Sequence, residues 1–456
     1  MTSGATPDFL TVCQGGHRLE SCFAGPALLK HMLAFEVALA ESQAGLGMIP
    51  AASATAIAQV AQATHFDLDA LVAATRDAAT PAIPLVRALC AAVARAQPDA
   101  AGHVHLGATS QDVVDTALML AAREALTLLL AQSQAVAKLL SGLISAHRLS
   151  LMPARTLSQQ AGVTSFGVKA AGWLQGLSRA LQPLLGAAQR LPLQFAGASG
   201  TLAAYGPAGE ALKAALADRL QLRPAPPWHS ERGVVRELAA ALAGVAAAGG
   251  KIANDLLLLA QTEVGEVSEA AAPGRGGSSA LPHKRNPAAS IGALAAARRA
   301  PAALASVFGA FDHAHERAAG AWHVEMPALV QLFGAAGGVL EGLTRALDGL
   351  QVDTVAMRRN LQLGRELYAS EAVSMALAAR LGREQAQALV AEAAARVHAG
   401  QGTLGEILRD MSAVTAVLPR SALDAALDPQ QGLGNGQILM DEALAAADRL
   451  LAGAPA

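Results

Sequence analysis

Between residues 234 and 271 the apolar positions step by four and three without a break: Leu238, Leu242, Val245, Gly249, Ile252, Leu256 and Leu259. Positions three and four apart share one helical face, so this is the seam of a long helix. At about 1.5 Å per residue the segment predicts a rod of roughly 55 Å. A rod of that length with an apolar stripe needs other rods beside it, which means a bundle. Hydrophobic residues make up 53% of the chain and aromatic residues only 3%. The rods are therefore joined by alanine and leucine, whose modest size lets helices approach closely.

Helical periodicity extends to 28–45 and 113–147, and no run alternates in the manner of a strand. The expectation is an all-α chain. Its 456 residues exceed what one core usually supports. Three helical domains are expected: 1–105, a central long-helix bundle over 106–350, and 351–456. No repeat of fixed period points to an α-solenoid. A net charge of −2 supplies no field for nucleic acid. The charge-free stretches 43–66 and 191–209 are interrupted by Pro, Gly and polar residues, so neither predicts a bilayer span, and no membrane partner is expected. Residues 1–10 lack the basic-then-apolar pattern of a secretory signal. Cys13, Cys22 and Cys90 are odd in number and lack metal-ligand spacing, which predicts reduced thiols in a cytoplasmic protein and no metal site.

Directly after the seam comes PGRGGSSALPHKRNP, residues 273–287. Gly274, Gly276 and Gly277 give its first half freedom. Asn286-Pro287 reads as a helix cap followed by proline at the first helical position. A lysine beside a helix start, here Lys284, makes an anion site. A plain linker would not need two prolines, a double serine and a cationic run. Upstream, HLGATSQDVVDT (105–116) reads as a turn entering a helix, with Thr109 and Asp112 spaced as in a capping box.

GSSALPHKRNP resembles the signature loop of the fumarase/aspartase superfamily, with Leu281 where methionine is usual, a volume-conserving exchange. The resemblance implies that Ser278 is the general base and that Lys284 and Asn286 hold a substrate carboxylate. The 105–116 string resembles the first signature region, implying substrate contacts for Thr109, Ser110 and Gln111. His105 then has two readings, a catalytic histidine or a structural one hydrogen-bonded beside the site. Residues 152–173 resemble the second region, with Arg155, Thr156, Ser158 and Gln159 lining the site. Leu157 stands where many members carry a histidine. WHSER (228–232) and QTEVGEV (261–267) are similar to the carboxymuconate cycloisomerase branch, which adds His229 and Arg232 to the implied substrate-binding residues. At 363–370, LGRELYAS lacks a Gly-Gly dipeptide expected there.

The chemistry implied is proton transfer at a carbon α to a carboxylate. Removing that proton drives charge into the carboxylate, so cations and N–H donors must be concentrated there. Serine is a weak base in water and needs activation by desolvation and nearby donors. In the cycloisomerase direction a substrate carboxylate adds across a double bond. Its reverse expels a carboxylate of low pKa that needs little help from an acid, which fits a leucine at the histidine position. The resemblance further implies a small polycarboxylate substrate, no cofactor, and a homotetramer whose active sites are shared between chains. An adenylosuccinate-type C–N lyase and an inactive homologue remain the alternatives.

Overall fold

The computed structural model describes residues 9–451. Residues 1–8, part of the stretch read above for a secretory pattern, lie outside them. In chain order α1 (Gly25–Gly45), α2 (Ala51–Ala63), α3 (Leu68–Ala78) and α4 (Ala82–Ala96) precede the longest rod, α5 (Ser110–Ala146). A hairpin of β1 (Leu151–Thr156) and β2 (Gln159–Ser165) leads into α6 (Phe166–Ala188). Then come α7 (Gly209–Leu220), α8 (Gly233–Leu259), α9 (Ala288–Gly309) and α10 (Ala321–Leu347). Strands β3 (Val267–Ser268) and β4 (Gln351–Val352) form a second antiparallel pair. Shorter helices follow: α11 (Thr354–Leu363), α12 (Ser370–Leu381), α13 (Arg383–His398), α14 (Leu404–Asp410), α15 (Arg420–Leu427) and α16 (Gly436–Leu451). Helices thus dominate, as the periodicity predicts.

The residues gather into two compact units. The first comprises Met1–Ser133, Ala180–Gly250 and Gly292–Glu341. Within it, residues 111–122 of α5 are all buried, so this stretch is a central rod and not a surface helix. Phe35 meets Phe195 at 6.3 Å and Phe23 meets Phe333 at 5.0 Å. A Cβ on Gly250 would come within 2.7 Å of the Ala297 methyl. Helices α8 and α9 therefore pack at glycine-to-alanine distance, which larger side chains would prevent.

The second unit comprises Gln134–Arg179, Lys251–Ile291 and Gly342–Ala456. Helices α12 to α15 surround Val373, Leu377, Val390, Leu404, Ile407 and Leu423, and a capping box of Thr403 and Glu406 starts α14. The hairpin is a feature that periodicity did not foresee. Its register runs from Leu151 opposite Ser165 to Thr156 opposite Gln159, with a bulge between Pro153 and Arg155. Proline belongs at such a bulge because it has no N–H for the ladder. Leu157 and Ser158 form the two-residue tip, with φ of 49° and 63°, the mirror-image turn that matches strand twist.

Each of the six side chains on the predicted seam is at most 4% exposed, and burying each is worth about 1.5–3 kcal/mol. The helix itself is shorter than the pattern suggests. It stops at Leu259, and Gly265 (φ 61°) turns the chain into β3. Its 27 residues make a rod of about 40 Å. WHSER lies in the approach to α8, and QTEVGEV lies beyond its end. By length and composition alone, four helical stretches would suffice to cross a membrane: His17–Gly45, Gly233–Leu259, Ala288–Gly309 and Ala321–Leu347. Inspection of charge-free stretches misses them because each carries a few charges. Here 39–67% of their most apolar windows is buried inside the fold.

Candidate active site

In the first unit the turn before α5 places three of the anticipated residues. Gly107 adopts φ 79°, and the Tyr205 ring lies 2.6 Å from where a Cβ would sit. Tyr205 Oη and Gln43 Nε2 both donate to the Leu106 carbonyl, at 2.8 Å each. Thr109 is the helix cap: its N–H donates to the Asp112 carboxylate at 3.1 Å, half of the capping box. The other half is replaced. The Thr109 hydroxyl accepts from Arg317 Nη1 at 2.6 Å. Arg317 was not anticipated, because a single cation in an alanine-rich stretch carries no spacing signal.

Asp112, fully buried, anchors the turn. Besides Thr109 N, its oxygens accept from Ala196 N (3.0 Å), Gly197 N (2.9 Å) and Gln194 Nε2 (3.2 Å), and are bonded to His229 Nε2 (2.9 Å). Such a carboxylate positions three segments at once. His229 is accordingly 4% exposed. Gln111 donates to the His229 carbonyl (2.8 Å) and to Asp115 (3.0 Å). Both residues hold the scaffold together and face no open space.

Arg232 departs furthest from the implied role. It is 1% exposed, and all five of its N–H donors are engaged. Nη1 reaches Asp115 (2.7 Å) and the Trp228 carbonyl (3.0 Å). Nη2 reaches Asp115 (3.1 Å) and Glu325 (2.5 Å), and Nε donates to Glu325 at 3.1 Å. The guanidinium also stacks 4.7 Å from the Trp228 ring. A substrate carboxylate would find no free donor, so Arg232 is a buried strut and not a ligand.

His105 retains both readings. Nδ1 lies 2.7 Å from the Oε1 of buried Glu36, and the backbone is left-handed at φ 57°. Burial pulls its pKa down, but the Glu36 hydrogen bond and charge, with Asp112, outweigh burial and raise it. A raised folded-state pKa favours the imidazolium. Its stabilising contribution is complete below the unfolded value of about 6.5 and is lost as pH rises through the folded value. Glu36→Gln should therefore lower the His105 pKa and flatten the loss of stability on that alkaline side. NMR titration of the His105 ring checks this, and an unmoved pKa would refute the pairing. His105, Thr109 and Ser110 line one cavity of about 310 Å³ together with Ile83, Val86 and Arg87.

In the second unit the hairpin carries the next group. Thr156, Leu157, Ser158 and Gln159 are exposed at its tip, Leu157 by 98%. Arg155 instead forms a two-pronged pair with buried Glu266, at 2.9 and 2.7 Å. Asn360 Nδ2 also donates to Glu266, at 2.8 Å. The Arg155 fork is thus committed to fixing the hairpin base.

The signature loop is pinned at its root, where Asn286 N donates to the Gly276 carbonyl at 2.7 Å. A Cβ on Gly276 (φ 67°) would lie 2.2 Å from the Asn286 oxygen, so glycine is required. Ser278 Oγ accepts from Leu281 N at 3.1 Å and from Ala280 N at 3.4 Å. Donors aimed at that oxygen favour an alkoxide over a hydroxyl. Lys284 is exposed, and Asn286 Nδ2 points to the Gly277 carbonyl at 3.5 Å. The expected anion site at the next helix differs. Helix α9 begins at Ala288, and its free N–H groups at Ala289 and Ser290 donate to Glu269 at 3.1 and 2.8 Å. A carboxylate of the chain already occupies that helix start.

A lyase family model matches residues 21–300 and an adenylosuccinate lyase C-terminus model matches 366–443. The chain is 43% identical over 423 residues to a 3-carboxy-cis,cis-muconate cycloisomerase of Bradyrhizobium diazoefficiens, covering 92% of this chain and 94% of the relative. It is 40% identical over 450 residues to a nitrosuccinate lyase of Streptomyces davaonensis, covering 96% and 95%. A solved 3-carboxy-cis,cis-muconate lactonizing enzyme from Pseudomonas putida superimposes with a TM-score of 0.90 at 39% identity, covering 97% of this chain and 100% of that one.

Proposed function

This chain belongs to the lyase family of the fumarase/aspartase superfamily, and we propose that within it the chain is a 3-carboxy-cis,cis-muconate cycloisomerase. The observation that carries the reading is Leu157. The hairpin tip presents an apolar side chain where a C–N or C–O lyase needs an acid for a poor leaving group. A carboxylate leaves unaided because its conjugate acid is strong.

In the forward direction an oxygen of one substrate carboxylate bonds to the far carbon of the adjacent double bond. The π electrons move into the carboxylate conjugated with it, giving a dianion. Lys284, Asn286 and Arg317 supply charge and donors where that dianion forms. The Ser278 hydroxyl then gives its proton to the α-carbon, and the N–H groups of Ala280 and Leu281 hold the resulting alkoxide. Thr109, Ser110, Thr156, Ser158 and Gln159 orient the carboxylates, and His105 supports the charge from the first unit. Glu36 holds His105 from behind, and Asp112 holds the turn at Thr109.

We also propose a homotetramer in the cytoplasm, with each active site drawing its signature regions from three chains. Exposed Leu258, Ile291, Phe308 and Val324 on the long helices support burial between copies. The proposed protomer has three helical domains, divided near residues 105 and 350. Loss of the diene absorbance of carboxymuconate, followed on the species that sedimentation identifies, tests the reading. A C–N lyase would instead release fumarate from nitrosuccinate or adenylosuccinate, and that outcome would overturn it. A fully active monomer would overturn the shared site.

A further inference from the structure

The cavity that holds His105, Thr109 and Ser110 has a wall the reaction has not yet used. Helix α4 contributes Ile83, Val86 and Arg87 to it. Arg87 is exposed and makes no ion pair or side-chain hydrogen bond among the described residues. Thr109 and Ser110 at the start of α5, a helix of 37 residues, line it too. The Ser110 N–H has no partner among the described residues. No Asp or Glu lines the space. Glu36 sits behind His105 and acts on it through Nδ1.

Each feature favours an anion. A guanidinium offers a planar fork to a carboxylate. The start of α5, where the Thr109 hydroxyl is turned to Arg317 and not to the helix N–H groups, offers the Ser110 N–H and the positive end of the dipole. A volume of about 310 Å³ suits a small carboxylic acid, and Ile83 and Val86 supply an apolar side for its carbon skeleton.

We infer that Arg87 is a further carboxylate-binding residue, forming with the first turn of α5 and His105 a subsite that selects substrates bearing an additional carboxylate. The inference rests on the function proposed above, whose substrate has three carboxylates where the eliminations of dicarboxylates need only two.

The test combines kinetics with binding. Arg87→Met should raise KM for carboxymuconate roughly 10- to 100-fold, the scale of one charge-assisted contact, with a smaller fall in kcat. Arg87→Lys should recover part of the loss, because the charge returns without the fork. Arg76→Met, on α3 and absent from the cavity wall, serves as the control. In parallel, calorimetry measures tricarballylate, a tricarboxylate, and succinate, a dicarboxylate. Arg87→Met should weaken tricarballylate by a similar factor and succinate much less. If both acids bind the variant as they bind the parent, the subsite is overturned. If the parent fails to convert carboxymuconate yet loses tricarballylate on Arg87→Met, the functional reading fails and the subsite stands.

Discussion

Ser278→Ala is expected to lose about 10²–10⁴ in kcat, the usual cost of removing a general acid–base group, while the chain folds and binds substrate as before. The motivation is geometric. Ser278 Oγ receives two backbone N–H groups, an arrangement that holds negative charge on that oxygen. Ser279, its exposed neighbour, accepts no such pair among the described residues. Ser279→Ala should therefore keep near-normal kcat. Lys284→Met should weaken KM and kcat together, because its charge serves ground and transition states alike. Steady-state kinetics on the three variants decide the matter. A dead Ser279→Ala beside an active Ser278→Ala would reverse the assignment, and three active variants would reduce the loop to a linker.

Arg232→Met should be the most damaging change to stability. It removes the cation that bridges Asp115 and Glu325 and leaves two carboxylates buried. Breaking such a pair costs about 3–5 kcal/mol, on the order of 10 °C in Tm. Burial already raises the pKa of Glu325, against the opposing pull of Arg232. Without the arginine Glu325 should take up a proton more readily when folded than when unfolded. Native protein then binds the excess proton, so the variant's stability falls as pH rises and is partly regained in mild acid. Adding Asp115→Asn and Glu325→Gln should restore most of the loss. Thermal unfolding followed by circular dichroism at acidic and neutral pH checks both signs. A variant with the parent's Tm throughout would show that the cluster contributes little.

Residue type and spacing carried the bundle, the loop and the helix start at Thr109, because these are local or periodic features. The hairpin was hidden for a local reason. Pro153 and its bulge break the alternation, and Leu157-Ser158 is not a pair that turns usually employ. The end of α8 was overrun because Val264 and Val267 continue an apolar rhythm after the helix has stopped. Arg232 was misread for a non-local reason. Its partners Asp115 and Glu325 lie 117 and 93 residues away, and nothing near Arg232 distinguishes a strut from a ligand. The LGRELYAS segment shows the converse. Arg365 and Glu366 both adopt left-handed backbone, at φ 46° and 69°. That left-handed pair is held by the Glu366 carboxylate accepting from Gly405 N at 2.9 Å.

The bond between Gly276 and Asn286 closes the signature loop on itself, and this limits how far its reactive groups can wander. Ser278 lies two residues beyond one pinned end and Lys284 two residues before the other. Two extended residues span at most about 7 Å. However the middle of the loop moves, the backbone of each residue stays within a sphere of roughly that radius around its pinned end. One group in such a volume corresponds to an effective concentration on the order of 1 M. The glycines therefore leave the loop free to move, while the pinned root keeps the base and the cation at high local concentration with respect to each other.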